Sequence, residues 1–230
     1  MDFSKRNNLE ELMDNPDLSF EEMAGTLRGL GRVNRVLGGY GPSLDGLARL
    51  VGGQRSITVL DVGAGGGDTI LAMTQWGRRK GIEVKIEGID LSDAIVSYAR
   101  QRTRKISNVE IRRANLFEIE GQEKFDIVHA ALMLHHLSDE EVIHALVQMH
   151  RLARRGVVIN DLHRHRLGYL ASRMVLPAIS RNRLVRHDGP VSILRAFQRQ
   201  ELVDFVRRAR LPEPELRWWP FFRWQMILRK

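Results

Sequence analysis

Ten residues, Val59-Leu60-Asp61-Val62-Gly63-Ala64-Gly65-Gly66-Gly67-Asp68, constrain this chain more than any others. The β-branched, apolar run Ile57-Thr58-Val59-Leu60 ends in an acid, four glycines follow within five residues, and the amphipathic segment Thr69 to Trp76 comes next. The pattern predicts a strand, a tight glycine turn and a helix. Glycine lacks a Cβ and tolerates positive φ, so a ligand can lie against bare backbone there. The helix start aims free N–H groups at that ligand. The spacing also excludes ligands. A dinucleotide fingerprint needs Gly or Ala at the sixth position. Counted from Gly63 that position is Asp68, and from Gly65 it is Ile70. Asp68 would also repel a pyrophosphate, and no Gly-Lys-Ser/Thr follows to make a P-loop.

Strands and helices alternate around this turn. Ser19 and Glu22 form a capping box ahead of a helix over 20–37, and a shorter helix spans about 43–51. Strand 57–62 leads to helix 67–79, strand 83–89 to helix 93–105, and strand 108–113 to a short turn. Strand 125–130 leads to helix 139–152, and strand 156–160 follows. Such βαβ units imply a parallel sheet with right-handed crossovers. Residues 1–18 read as loosely ordered. Beyond Asp161 the pattern changes: 162–187 is rich in Arg and His around an apolar run, Leu167 to Ile179, that Pro177 interrupts. A helix over 198–209 and two strands, Leu216 to Trp219 and Phe221 to Leu228, complete the chain. The aromatic cluster Trp218 to Trp224 reads as sheet residues packing on helices. The expected organisation is an N-terminal helical cap over 1–56 and one α/β domain over 57–230, with 162–197 inserted as a lid.

The second strand ends in Gly88-Ile89-Asp90-Leu91-Ser92. Ligands of open α/β sheets sit at the carboxyl ends of the strands, so Asp90 belongs beside the glycine turn. A carboxylate there can accept charge-assisted hydrogen bonds from both hydroxyls of a ribose. The spacing Asp61-x-Gly63-x-Gly65-x-Gly67, followed by Asp90, resembles class I S-adenosylmethionine (SAM)-dependent methyltransferases. SAM is cationic at its amino group and sulfonium and carries no phosphate, so acids near the turn are welcome. Leu-His-His-Leu at 134–137, after the fourth strand, resembles the ubiquinone/menaquinone-biosynthesis type and its natural-product relatives. The resemblance implies a Rossmann-like, seven-stranded, mostly parallel sheet with helices on both faces. It implies SAM as cofactor, held by Asp61, Gly63, Ala64 and Gly65. Asp90 takes the ribose and Leu91 the adenine. Asn115, where the family often has aspartate, faces the adenine amino group, with the Leu116 backbone for a ring nitrogen. The backbone around Ala131 faces the methionine part.

The implied reaction is methyl transfer to a small hydrophobic acceptor, a phenol, quinol or polyketide-like compound, most readily at oxygen. A histidine suits the role of base because its pKa lies near working pH. His136 and His163 lead, followed by His135. No metal site is expected from the spacing of histidines and acids.

Charge is unevenly placed. Residues 1–150 hold 18 Lys and Arg against 22 Asp and Glu, a net of −4; residues 151–230 hold 18 against 6, a net of +12. A basic half can meet nucleic acid, an anionic membrane surface or an acidic substrate, and arginine preference alone is the plain alternative. The absence of an Asn/Asp-Pro-Pro-aromatic motif argues against base methylation, leaving an rRNA or tRNA methyltransferase, or a SAM-binding protein without turnover, as alternatives. A Tyr-x-x-x-Lys pair is missing, which disfavours a nicotinamide oxidoreductase. The arginine-rich lid suggests transient docking on an anionic bilayer, and a homodimer is left open. With no cysteine and no secretory apolar segment near the N-terminus, the cytoplasm is the expected location.

Overall fold

A computed structural model describes residues 2–15 and 17–230. Its centre is a seven-stranded sheet in the order β3-β2-β1-β4-β5-β7-β6. The strands are β1 (Ser56–Val62), β2 (Glu83–Asp90), β3 (Val109–Arg113), β4 (Phe125–Ala131), β5 (Ala153–Leu162), β6 (Glu215–Trp219) and β7 (Arg223–Arg229). The first five are parallel, while β7 runs antiparallel to both β5 and β6. The helices are α1 (Phe20–Val36), α2 (Gly41–Val51), α3 (Asp68–Lys80), α4 (Asp93–Thr103), α5 (Asp139–Leu152), α6 (Arg166–Ile179), α7 (Arg183–Arg195) and α8 (Arg199–Arg208).

Parallel strands buried on both faces read as continuous apolar runs, and β1 does so: Ile57, Val59, Leu60 and Val62 are all buried. One core lies between the sheet and α2, α3 and α4, built on Leu47, Ile70, Met73 and Trp76. The other lies under α5 and α8, built on Val142, Leu146, Met149, Leu202 and Phe205. Ser19 and Glu22 form the capping box of α1, as Ser138 and Glu141 do for α5. Among the described residues no helix is long and apolar enough to cross a membrane.

The structure corrects two sequence readings. Residues 2–15 are tied down rather than loose. Arg164 and Gln198 donate to the carbonyl of Phe3. Arg6 donates to the carbonyls of His135, Leu137 and Arg195, and Glu11 is buried. A polar segment reads as loose from composition, but these partners lie more than a hundred residues away. The second correction concerns Pro177, which does not divide α6. It sits in the last turn of α6, close to where a helix must end in any case.

Gly156 shows how tightly β5 and β7 are drawn together. A Cβ there would meet the backbone carbonyl oxygen of Leu228 at 2.4 Å, and a paired strand cannot step aside without losing its ladder. Gly156→Ala is therefore expected to cost about 1–3 kcal/mol, the usual penalty of overpacking. Urea unfolding would read this as a lower midpoint, and an unchanged midpoint would contradict the close approach.

Candidate functional site

A cavity of about 920 Å³ opens at the carboxyl ends of β1, β2, β4 and β5, where β1 lies between β2 and β4 and the strand order reverses. The glycine turn forms part of its wall and is stitched to the sheet: Ala64 N–H donates to Ile89 O at 2.9 Å and Gly67 N–H to Ala64 O at 3.0 Å. Gly63 has φ 68°, and a Cβ on it would meet Met133 Cγ at 2.6 Å. Gly67, with φ 72°, stands at the N-cap of α3 without a side-chain cap, so the first N–H groups of that helix are not consumed by one. Asp68 lines the same cavity. It pairs with Arg102 at 2.8 Å, and Arg102 also donates to Gly66 O.

Asp90 lies on the cavity wall. Its carboxylate accepts from Gly65 N–H at 3.1 Å and Ser92 N–H at 3.2 Å. Burial nevertheless lifts its carboxyl above the ordinary value, against the pull of these N–H groups. A carboxylate held this way, with no cationic side chain bonded to it among the described residues, suits two further neutral hydroxyl donors. Asp61 also faces the cavity, but its Oδ1 is tied to His129 Nδ1 at 2.6 Å. His129 Nε2 meets Ser43 Oγ at 2.8 Å, and Asn160 Nδ2 donates to the same Oγ at 2.9 Å. Asn160 continues through Arg223 to Asn34 of α1. Ala64, Leu91, Asn115, Leu116 and Ala131 all line the same cavity, with Leu91 exposed. Asn115 Oδ1 already accepts from Phe117 N–H at 3.1 Å.

The other end of the cavity holds two histidines, each with Nδ1 on a carboxylate. His135 Nδ1 sits 2.6 Å from Asp161 Oδ1, and His136 Nδ1 sits 3.3 Å from Asp14 Oδ2. Their Nε2 atoms lie 3.6 and 4.0 Å from Glu11. Burial alone would lower the His135 pKa, but Asp161 and Glu11 overcome it and raise it to about 9. Burial opposes ionisation of Glu11 too, yet His135 and His136 hold its pKa at about 2. His135 is therefore buried between two carboxylates that favour its protonated form, a setting that disfavours a role as base. Glu11, His135 and His136 bring ligand-type atoms within 4.8 Å of one another, and the imidazolium proton supplies the positive charge those carboxylates require.

His163, the remaining candidate base, does not line the cavity. It lies among Trp218, Phe222 and Trp224, accepting from Trp218 Nε1–H at 3.2 Å. Asp188, 2.8 Å from His187 Nδ1, also accepts from the N–H groups of Leu12 and Met13. Sequence reasoning missed Glu11 and Asp14, which no local signal marks. It also missed His129, whose one clue is a polar residue in an apolar strand, directly opposite Asp61 in register.

Residues 59–156 match a family model described as a methyltransferase domain. No curated protein sequence matches the chain. Several solved structures share its fold. A SAM-dependent methyltransferase from Aquifex aeolicus is 18% identical with TM-score 0.59, over 81% of this chain and 88% of its own. Burkholderia thailandensis 1,6-didemethyltoxoflavin-N1-methyltransferase is 19% identical with TM-score 0.60, over 86% and 80%. Human N-acetylserotonin methyltransferase is 14% identical with TM-score 0.64, over 92% of this chain and 56% of its own. At these identities the likeness is one of fold.

The surroundings of His163 generate a pH prediction. Burial first, then the charges of His165 and Arg164, lower its pKa to about 4, against about 6.5 in an unfolded chain. Between those values the unfolded state binds the extra proton, so this residue's contribution to stability falls as pH drops from about 6.5 to 4. His163→Gln, which keeps an acceptor for Trp218, is expected to flatten that part of the stability profile. Equal slopes for variant and wild type in urea titrations across this window would refute the assignment.

Proposed function

Because residues 59–156 match a methyltransferase-domain model and the fold is shared with a SAM-dependent methyltransferase, we propose that this protein transfers a methyl group from SAM to the hydroxyl of a small hydrophobic acceptor, a phenol, quinol or polyketide-like compound. The observation that carries the reading is the pairing of a cavity-lining glycine turn with Asp90, a half-buried carboxylate that has no cationic partner among the described residues. A ribose diol supplies the donors that carboxylate lacks. Of the acids at this end, Asp68 is paired with Arg102 and Asp61 with His129, and the carboxylate of Asp90 suits a cation and opposes a phosphate. Leu91 offers an apolar face to adenine. Gly63, Ala64 and Gly65 allow the ligand to approach the backbone, and Leu116 and Ala131 complete the wall. When bound, the cofactor supplies a methyl group on a good leaving group. The chain's own work is to align an acceptor with it.

Support for a hydrophobic acceptor comes from the other end of the cavity, where Met13, Leu30, Val33, Leu37, Leu176 and Ile193 face inward. The volume lies near the top of the range for small-ligand sites, about 300–1,000 Å³, which leaves space beside a cofactor. Relatives of the same fold act on 1,6-didemethyltoxoflavin and N-acetylserotonin, both small molecules. His136 lines this end. With Nδ1–H donated to Asp14, its Nε2 can accept the hydroxyl proton of the acceptor. His135, held cationic, keeps Glu11 ionised beside it.

Two measurements test this. Asp90→Ala removes charge-assisted hydrogen bonds worth about 1.5–3 kcal/mol each, so SAM affinity by calorimetry should fall at least tenfold with the fold intact. Wild-type affinity would overturn the site. His136→Ala should lower turnover, read as S-adenosylhomocysteine formed on a panel of phenols and quinols, by about 10²–10⁴ while leaving SAM affinity unchanged. Turnover on bulk RNA in place of phenols and quinols would move the acceptor to nucleic acid.

A further inference from the structure

Helix α6 is apolar on two sides. Its inner side, with Gly168, Tyr169 and Leu176 buried, walls the cavity and packs on α1 and α7. Its outer side repeats Leu167, Leu170 and Met174 at helical spacing, and these are 61%, 53% and 77% exposed. A surface helix normally turns polar residues outward, and contiguous exposed apolar residues mark an interaction surface.

The stripe does not end with the helix. The β6–β7 turn carries Phe221 and Phe222 at φ 61° and 56°, a left-handed conformation that bulky residues rarely adopt. Phe222 stacks on His165 at the start of α6, and a Cβ on Gly168 would meet its ring at 2.9 Å. Trp218 lies edge-on to Phe222. Trp218 and Phe221 themselves are 52% and 55% exposed. The expectation that this aromatic cluster packs the sheet on its helices therefore holds for the buried Trp224 and is corrected for these two. Phe221 and Val175 are both exposed and cavity-lining, so the stripe borders the cavity mouth.

Charge identifies the occupant. From Leu162 to His187 the chain contains six arginines and not one Asp or Glu. Arg164 is buried and paired with Glu201, which removes it from the set expected on the lid surface. Arg166, Arg173, Arg181, Arg183 and Arg186 are exposed, and among the described residues none has a carboxylate within ion-pair distance. Arg166 and Arg173 flank the apolar stripe on α6. A second protein would need an apolar groove rimmed with acids. An anionic bilayer offers both features at once: an apolar interior for Leu167, Leu170 and Met174, and phosphates for the arginines. Trp and Phe at the edge suit the headgroup level.

We propose that the outer side of α6 and the β6–β7 turn form a docking surface for an anionic phospholipid membrane, placing the cavity mouth at the headgroup level. That the cavity then draws a lipid-like acceptor from the bilayer rests on the methyl-transfer reading; the docking itself does not.

Flotation with vesicles, in the absence of SAM, tests the docking separately from the chemistry. Wild-type protein is expected to float with phosphatidylcholine vesicles containing phosphatidylglycerol at low salt, to bind pure phosphatidylcholine at least tenfold more weakly, and to be released by high salt. Leu170→Gln with Met174→Gln, and separately Arg173→Glu with Arg181→Glu, should each reduce binding at least tenfold while retaining the wild-type melting temperature and SAM affinity. Brominated phosphatidylcholine in the anionic vesicles should quench tryptophan emission in wild type and less in Trp218→Phe. Three results would overturn the proposal: no binding to anionic vesicles at low salt, variants that bind like wild type, or light scattering showing a dimer that the Leu170→Gln/Met174→Gln variant splits. Vesicle binding without methylation of any phenol or quinol would leave the docking intact and count against the acceptor alone.

Discussion

Carboxylates drawn in from solvent at strand ends organise this molecule. Asp61 closes β1, Asp90 closes β2 and Asp161 stands near the end of β5, and Asp61 and Asp161 are almost fully inaccessible to solvent. An uncompensated buried charge costs several kcal/mol, so each must recruit partners. Asp90 takes the N–H groups of the glycine turn and of Ser92. Asp61 takes His129, and through it Ser43 and Asn160. Asp161 takes His135 and the N–H of Leu134. The partners come from α2, β4, β5 and the loop after β4, so satisfying three charges fixes how separate elements meet around one cavity.

The division of labour between these acids was only partly legible in the sequence. The glycine spacing and Asp90 were readable because a turn and a strand end are local features with strong chemical signatures. The sheet was readable for a similar reason: apolar runs and helical periodicity mark each element one at a time. Glu11 and Asp14 were not readable. They lie in a polar stretch whose order depends on Arg6 reaching the carbonyls after β4 and on Asp188 receiving the N–H groups of Leu12 and Met13. Such long-range hydrogen bonds leave no periodic trace. His163 shows the opposite failure. Its place just beyond β5 made it plausible as a base, but the antiparallel pairing of β7 brings Trp224 opposite Asp161 and surrounds the imidazole with aromatic rings.

The two ends of the cavity differ in the way they hold charge. At the glycine turn, carboxylates accept from backbone N–H groups or are tied to side chains, and Asp90 keeps room for uncharged donors. At the histidine end, Asp161, Glu11 and an imidazolium form a closed ionic group whose members ionise together. A low local dielectric strengthens such a group and makes a half-formed version costly. Order in residues 2–15 and the protonation of His135 therefore support each other: without Glu11 the imidazolium loses one of its two carboxylates. Part of the wall at the histidine end is thus supplied by a segment distant in sequence from the glycine turn.

The basic C-terminal part of the chain admits two explanations, a general preference for arginine or a surface selected for charge. Arginine preference accounts for the scarcity of lysine, six residues in the whole chain, but it does not delete acids. In the 26 residues from Leu162 to His187 both aspartate and glutamate are missing, whereas α3 and α4, also rich in arginine, retain Asp68 and Asp93 and pair them with Arg102 and Arg113. The acid-free segment is also the one that exposes Leu167, Leu170 and Met174 and walls the cavity. Three properties converging on one helix, an outward apolar stripe, arginines with no carboxylate partner among the described residues and contact with the cavity, are what a surface adapted to meet an anionic, apolar environment combines.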